Sequence, residues 1–176
     1  MGLEERVEGQ MKGNMSLSEK IALHVPIYKG YRQKNLRRDE DRAIRQEVAR
    51  SLENAKTDLA TVQRGTAGSL ELMRDAERVR SKADKYCIDV KKAAGGYSGL
   101  HDSVKILESE LDCLISWDAR LIDGAVVLKE QTAAAIRAID RGDADLKATL
   151  REIEKTIDAL MEAYSERETV MRGFKE

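Results

Sequence analysis

Residues 100–139 read LHDSVKILESELDCLISWDARLIDGAVVLKEQTAAAIRAI, and within them Leu100, Val104, Leu107, Leu111, Leu114, Asp118, Leu121, Ala125, Leu128, Thr132, Ala135 and Ile139 fall at steps of three and four. Steps of that size return to one side of an α-helix, so the stretch predicts a helix over about residues 99–140 with a single continuous stripe to bury. Arg141-Gly142-Asp143 then supplies a helix stop and an N-cap. A further stripe follows over about 143–172: Leu146, Leu150, Ile153, Ile157, Leu160, Tyr164, Arg167 and Met171. Upstream, Gly95-Gly96-Tyr97-Ser98-Gly99 closes a helix over about 69–94 that carries Met73, Ala76, Val79, Ala83, Cys87 and Val90. A first long helix, about 31–63, carries Ile44, Val48, Leu52, Ala55, Leu59 and Val62. With one proline in 176 residues, the chain reads as all-α.

In an antiparallel helix pair, facing residues carry numbers with a constant sum. Across the third and fourth long helices, Ile139/Leu146, Ala135/Leu150, Leu128/Ile157 and Leu121/Tyr164 give 285, centred on the Gly142 turn. Ala83/Leu111 and Met73/Leu121 give 194 for the second and third, and Val48/Ala83 and Leu59/Met73 give 131 and 132 for the first and second. Any two regular stripes align in some register, so the informative feature is the short turn at each centre. The expected architecture is an elongated up-down-up-down four-helix bundle with antiparallel coiled-coil character. The first helix ends near the layer of Ala125 and Leu160, which predicts a projecting arm made of residues 126–158 in the helix 3/helix 4 hairpin. Residues 1–30 read as an N-terminal leader and a short helix, with Leu17, Ile21 and Val25 on one face, and residues 31–176 as the bundle.

Thirty-one Lys and Arg balance 32 Asp and Glu, a formal net charge of -1, so nucleic acid or an anionic membrane would have to be held by a local patch. No run of ~18–20 apolar residues occurs and the first residues lack the order of a signal peptide, which points to a cytoplasmic chain. Glycine-rich phosphate loops are lacking. Gly96-Tyr97-Ser98-Gly99 does not keep Gly-x-Ser-x-Gly spacing and follows no strand. Neither His24 nor His101 follows a Glu by three residues, as a di-iron bundle requires, and two cysteines suggest neither a disulfide scaffold nor a zinc site. The expectation is a protein without catalytic residues, metal or cofactor.

Three constellations stand out. Asp118 and Arg167 lie on core stripes and also satisfy the sum of 285, so they are expected to face each other, with Arg80 one turn away. Such a buried pair adds little stability but penalises slipped registers. A lesser alternative makes it a polar pocket of a ligand sensor or enzyme, bordered by Trp117 and Tyr164. The second constellation is a basic face at the start of the first long helix, Lys29, Arg32, Lys34, Arg38, Arg42 and Arg45, suited to phosphates of lipid or nucleic acid if its neighbouring acids do not neutralise it. The third is a second apolar stripe beside the first, Ile115, Ala119, Ile122, Val126, Ala133 and Ile136, with Trp117 nearby. One buried side needs only one stripe, so the second implies a homo-oligomer or a helical partner protein, unless the N-terminal segment covers it.

Val25-Pro26-Ile27-Tyr28-Lys29-Gly30-Tyr31, followed by Lys34 and Arg37-Arg38, resembles the opening of an uncharacterised group of small helical prokaryotic proteins with a Pro-x-Tyr-x-Gly-Tyr, Lys, Arg-Arg pattern. The resemblance covers some twenty residues and brings no activity with it. Read physically, Pro26 and Gly30 form a turn that lays Tyr28 and Tyr31 against the helices. The function expected from all this is that of a non-catalytic interaction or scaffold protein working through the third long helix and the arm. Peripheral binding of anionic lipid or nucleic acid is the first alternative, and the Asp118/Arg167 sensor or enzyme the second.

Overall fold

The computed structural model describes residues 15–33, 36–96, 108–142 and 145–173, without the side chains of 94–96 and 173. Five helices account for most of them: α1 (Leu17–Ala22), α2 (Arg37–Gly65), α3 (Leu70–Gly96), α4 (Glu108–Arg141) and α5 (Leu146–Gly173). No strand occurs among the described residues. Lys34, the stripe positions Leu100, Val104 and Leu107, and the cap Asp143 lie outside them.

Local chemistry sets the early boundaries. A reciprocal capping box opens α1: Ser16 Oγ accepts from the Glu19 backbone N–H, and the Glu19 carboxylate accepts from the Ser16 N–H at 2.7 Å. Helix does not resume at residue 31 as the sequence predicts, because Gly30 and Tyr31 both turn left-handed, at φ of 70° and 59°. Glycine takes that conformation freely and tyrosine does not, so the surroundings must hold Tyr31 there. A Cβ at Gly30 would also stand 3.2 Å from Ile115 Cδ1. The residues from Ser16 to Gln33 therefore form a strap pressed on α4, and α2 starts only at Arg37.

The four long helices pack side by side, α2 against α3 and α4, and α5 against α4 and α3. Along α2 and α3 the partners run in opposite order, Lys56 to Asp84 (2.6 Å) and Glu53 to Lys91 (3.1 Å). Along α4 and α5 they do so too, Asp118 to Arg167 and Gly124 to Leu160. Between α2 and α4 the separation is constant instead: Ser51 Oγ donates to the Ala125 carbonyl and Thr132 Oγ1 to Asp58, both 74 residues apart, so these helices run the same way. Arg78–Glu154 and Lys147–Glu71, both 76 apart, relate α3 to α5 similarly.

Three sequence expectations are corrected. Among the described residues the second and third long helices are not packed at a sum of 194: Ala83 and Met73 lie on α3, which packs mainly against α2 and α5, while the expected partners nearest the glycine turn, Leu100, Val104 and Leu107, lie outside the described residues. The pairing of α2 with α3 holds, but about one heptad from Val48/Ala83, since Cys87 reaches the Ala49 carbonyl and Lys56 meets Asp84. A seven-residue slip leaves an apolar stripe intact, which is why the stripe alone did not exclude it. The projecting arm is not formed. The parallel offset carries α2 alongside α4 as far as Gly65, whose Cβ would stand 2.5 Å from Ile139 Cγ2, while Glu71 of α3 reaches Lys147 of α5.

Candidate functional site

Where the strap meets the long helices, the interior is polar. Arg167 of α5 is fully buried and every guanidinium nitrogen has a partner. Nε contacts Asp118 Oδ1 at 2.5 Å, Nη2 donates to the Tyr31 hydroxyl at 2.8 Å, and Nη1 meets Asp41 Oδ1 at 2.8 Å, with Glu168 and the Met171 sulfur close by. The other Asp118 oxygen, Oδ2, accepts from both strap tyrosines, Tyr28 at 2.8 Å and Tyr31 at 2.7 Å. Their rings meet edge to face with centroids 5.3 Å apart.

Arg45 of α2 extends the network. Its Nε bonds Asp41 at 3.0 Å, Nη2 meets Glu168 at 2.7 Å and Nη1 donates to the Tyr164 hydroxyl at 2.6 Å. Asp41 and Glu168 thus each serve both arginines, which ties α2, α4, α5 and the strap into one cluster. Burial pushes the Tyr28 and Tyr31 hydroxyls well above the ordinary tyrosine range, with Asp118 adding to the effect, and pushes Tyr164 up to about 12. Burial works against the charge on both arginines. The carboxylates around them outweigh it and raise the pKa of each.

Glu40 holds the strap's far end. Its Oε2 accepts the backbone N–H groups of Tyr31 at 2.7 Å and Lys29 at 3.1 Å, fixing the left-handed turn, while Oε1 is buried without a partner. Arg37 Nε adds a bond to the Tyr31 carbonyl at 2.8 Å. Burial raises the Glu40 pKa, and the two backbone donors only partly offset that.

The sequence reading finds the centre of this cluster and misplaces its periphery. Asp118 faces Arg167 as the sum of 285 predicts, and the Pro26–Gly30 turn does lay Tyr28 and Tyr31 inward. Arg80 is not a member: it pairs with Glu77 one turn away on its own helix, with 32% of its side chain exposed. Arg45 belongs to the core rather than to the basic face, of which Lys29, Arg32, Arg38 and Arg42 remain exposed. Trp117 does not border the pair but lies on the outer side of α4 under the Arg120 guanidinium, 4.5 Å from the ring centroid. The sequence pattern places neither Asp41 nor Glu168 in the cluster and puts Arg45 on the basic face, although stepping back from Leu52 and Val48 by threes and fours reaches 45 and 41.

The second stripe is largely covered by the chain itself. Ile122 is 3% exposed and Ala119 is buried, both beside Ile21 and Leu23 of the strap, and Ile115 lies under Gly30. Val126 and Ala133 line a half-open groove between α2 and α4, and Ile136 packs partly against the core. Among the described residues, no group of three or more His, Cys, Asp or Glu is placed to hold a metal ion, and no helix is long and apolar enough to cross a membrane. Both cysteines are free. Compared with protein-family models, with curated proteins and with solved structures, the chain matches none.

Proposed function

We propose that this chain is a non-catalytic interaction protein, an up-down-up-down four-helix bundle that associates with a second copy of itself through the outer side of α4. The observation that carries this reading is the open groove between α4 and α5. Its floor is Trp117, Gly124, Val127, Leu160 and Ala163, with a volume of about 620 Å³. Ala159 and Ala163 make room for side chains of another helix, while Gly124 lets the buried Leu160 pack close beneath them. The rim carries one cation, Arg120, beside three acids, Asp123, Glu162 and Glu166, so in a twofold contact Arg120 of each copy meets acids of the other, and screening of the excess acid by salt favours association. The sensor reading of Asp118 and Arg167 is less favoured, because their bonding capacity is taken up by the chain's own side chains.

Trp117 is the single tryptophan and reports on this contact directly. Light scattering over a concentration series is expected to show a discrete dimer that persists in high salt, with tryptophan emission moving to shorter wavelength as the dimer forms. Val127→Glu is expected to weaken association more than tenfold, about 1.4 kcal/mol, with an unchanged melting curve for the monomer. A mass of 19.7 kDa at all concentrations, with a constant emission spectrum, overturns self-association.

A further inference from the structure

We propose that the strap, Ser16–Gln33, docks this protein on an anionic lipid bilayer. Of the large hydrophobic side chains exposed among the described residues, half lie within eleven positions of the strap: Leu17 (46%), Leu23 (59%) and Ile27 (39%). They are not leftovers of a poorly packed segment. Ile21, Val25, Tyr28 and Tyr31 of the same stretch are buried, so the strap has an inner face that is satisfied and an outer face that is apolar without cover. Leu17 and Leu23 flank Lys20 around one shallow surface hollow of about 410 Å³.

Charge identifies the partner. Among the described side chains outside the core between residues 16 and 42, six are cationic, Lys20, Lys29, Arg32, Arg37, Arg38 and Arg42, against two acids, Glu19 and Asp39. The other two acids of this stretch, Glu40 and Asp41, are turned inward, Glu40 onto strap backbone and Asp41 onto Arg45 and Arg167. The interior network thus removes from the surface the negative charge that sequence alone would set against the basic face. Glu40 and Arg37 grip the backbone of Lys29 and Tyr31, so Lys29 is held close to the cations that open α2, while Lys20 sits farther along the strap beside Leu17 and Leu23.

Exposed aliphatic side chains among lysines and arginines fit a bilayer, where the first enter the acyl boundary and the second stay with anionic headgroups. Single-stranded nucleic acid fits less well. It needs exposed aromatic rings to stack on, and both strap tyrosines are buried with their hydroxyls committed to Asp118. The hollow beside Leu17 and Leu23 adjoins the Trp117 groove at Asp123, but the side chains that carry the two contacts differ, so either proposal can fail alone.

The test is co-sedimentation of the full chain with vesicles of two parts phosphatidylcholine to one part phosphatidylserine, against vesicles of phosphatidylcholine alone. Binding is expected only to the mixed vesicles, and to fall with added salt. Removing one cation, Lys29→Gln or Arg32→Gln, is expected to weaken it by about fivefold. Leu23→Glu combined with Ile27→Glu is expected to abolish it while the melting curve stays in place, both side chains being solvent-exposed in the free protein. Absence of binding by the unmodified chain overturns the proposal. So does full binding by the Leu23/Ile27 variant, which would reduce the contact to charge alone.

Discussion

The two ends of the long helices bury different chemistry. At the strap end, a layer of Asp41, Arg45, Asp118, Tyr164, Arg167 and Glu168 is closed by hydrogen bonds and ion pairs. At the other end, Leu59, Val62, Leu128, Ala135, Leu150 and Ile153 are buried among themselves, and the buried polar groups there, Thr132 with Asp58 and Thr66 on the Gln63 carbonyl, form no charged layer. Apolar side chains exchange partners at small cost when a helix slips by a heptad. A slip at the polar end strands buried charges, each costing several kcal/mol. Both ends bury large apolar side chains, and the polar layer adds to this the selection of one register, in which it fastens the strap.

Arg167→Ala should separate the two ends most sharply. It leaves Asp118 and part of Asp41 buried without their cation and is expected to cost about 4 kcal/mol in urea unfolding. A loss below about 1 kcal/mol would mean the layer is hydrated and does not select the register. Leu128→Ala, its counterpart at the apolar end, is expected to cost about 3 kcal/mol as a cavity penalty, with the strap still protected from protease. If the strap is released equally by both variants, the two ends are not independent.

Smaller effects bear on finer points of the contrast. Gly65→Ala gains helix propensity but drives a methyl group into Ile139, and a net loss of about 1 kcal/mol is expected from the crowding. A gain in stability would show that α2 does not run beside α4 that far. Glu40 gives the mildest signal and a sign. Its pKa in the folded protein lies above the ordinary value of 4.5, so the folded state holds that proton more tightly than the unfolded chain. The corresponding stability is complete below the ordinary glutamate range and is lost as pH rises through the raised value. Relative to Glu40→Gln, the unmodified protein should therefore gain stability as pH is lowered from neutral toward 4.5, read as the difference in urea midpoints. A difference that moves the other way would contradict the burial of Glu40.

The same contrast explains what the sequence made legible. Helix type follows from stripes and glycine turns, and the spans agree closely where they are described, except that α2 begins six residues later than expected and the first part of the 99–140 stripe lies outside the described residues. The partnering follows only where a stripe is interrupted by charge. Asp118 against Arg167 fixed the α4/α5 register, whereas the apolar stripes of α2, α3 and α4 fitted more than one alignment, giving a false hairpin, a heptad slip and an arm that is not there. In the candidate site the pair at its centre was legible for that reason. Arg45 was not, because an arginine among Arg37, Arg38 and Arg42 has the pattern of a solvated face. Its burial depends on Asp41, Tyr164 and Glu168, which arrive from two helices.

The strap's attachment also governs the order in which the chain assembles. Tyr28 and Tyr31 find Asp118 across 90 and 87 residues, and Tyr31 meets Arg167 across 136. Contacts of that sequence separation carry a large loop-closure cost and come late in folding. The helical hairpins α2/α3 and α4/α5 close through nearer neighbours, so the strap docks onto a core already formed. Substitutions at Tyr28 or Tyr31 should then leave the refolding rate nearly unchanged and quicken unfolding, because the strap is the last element to be secured.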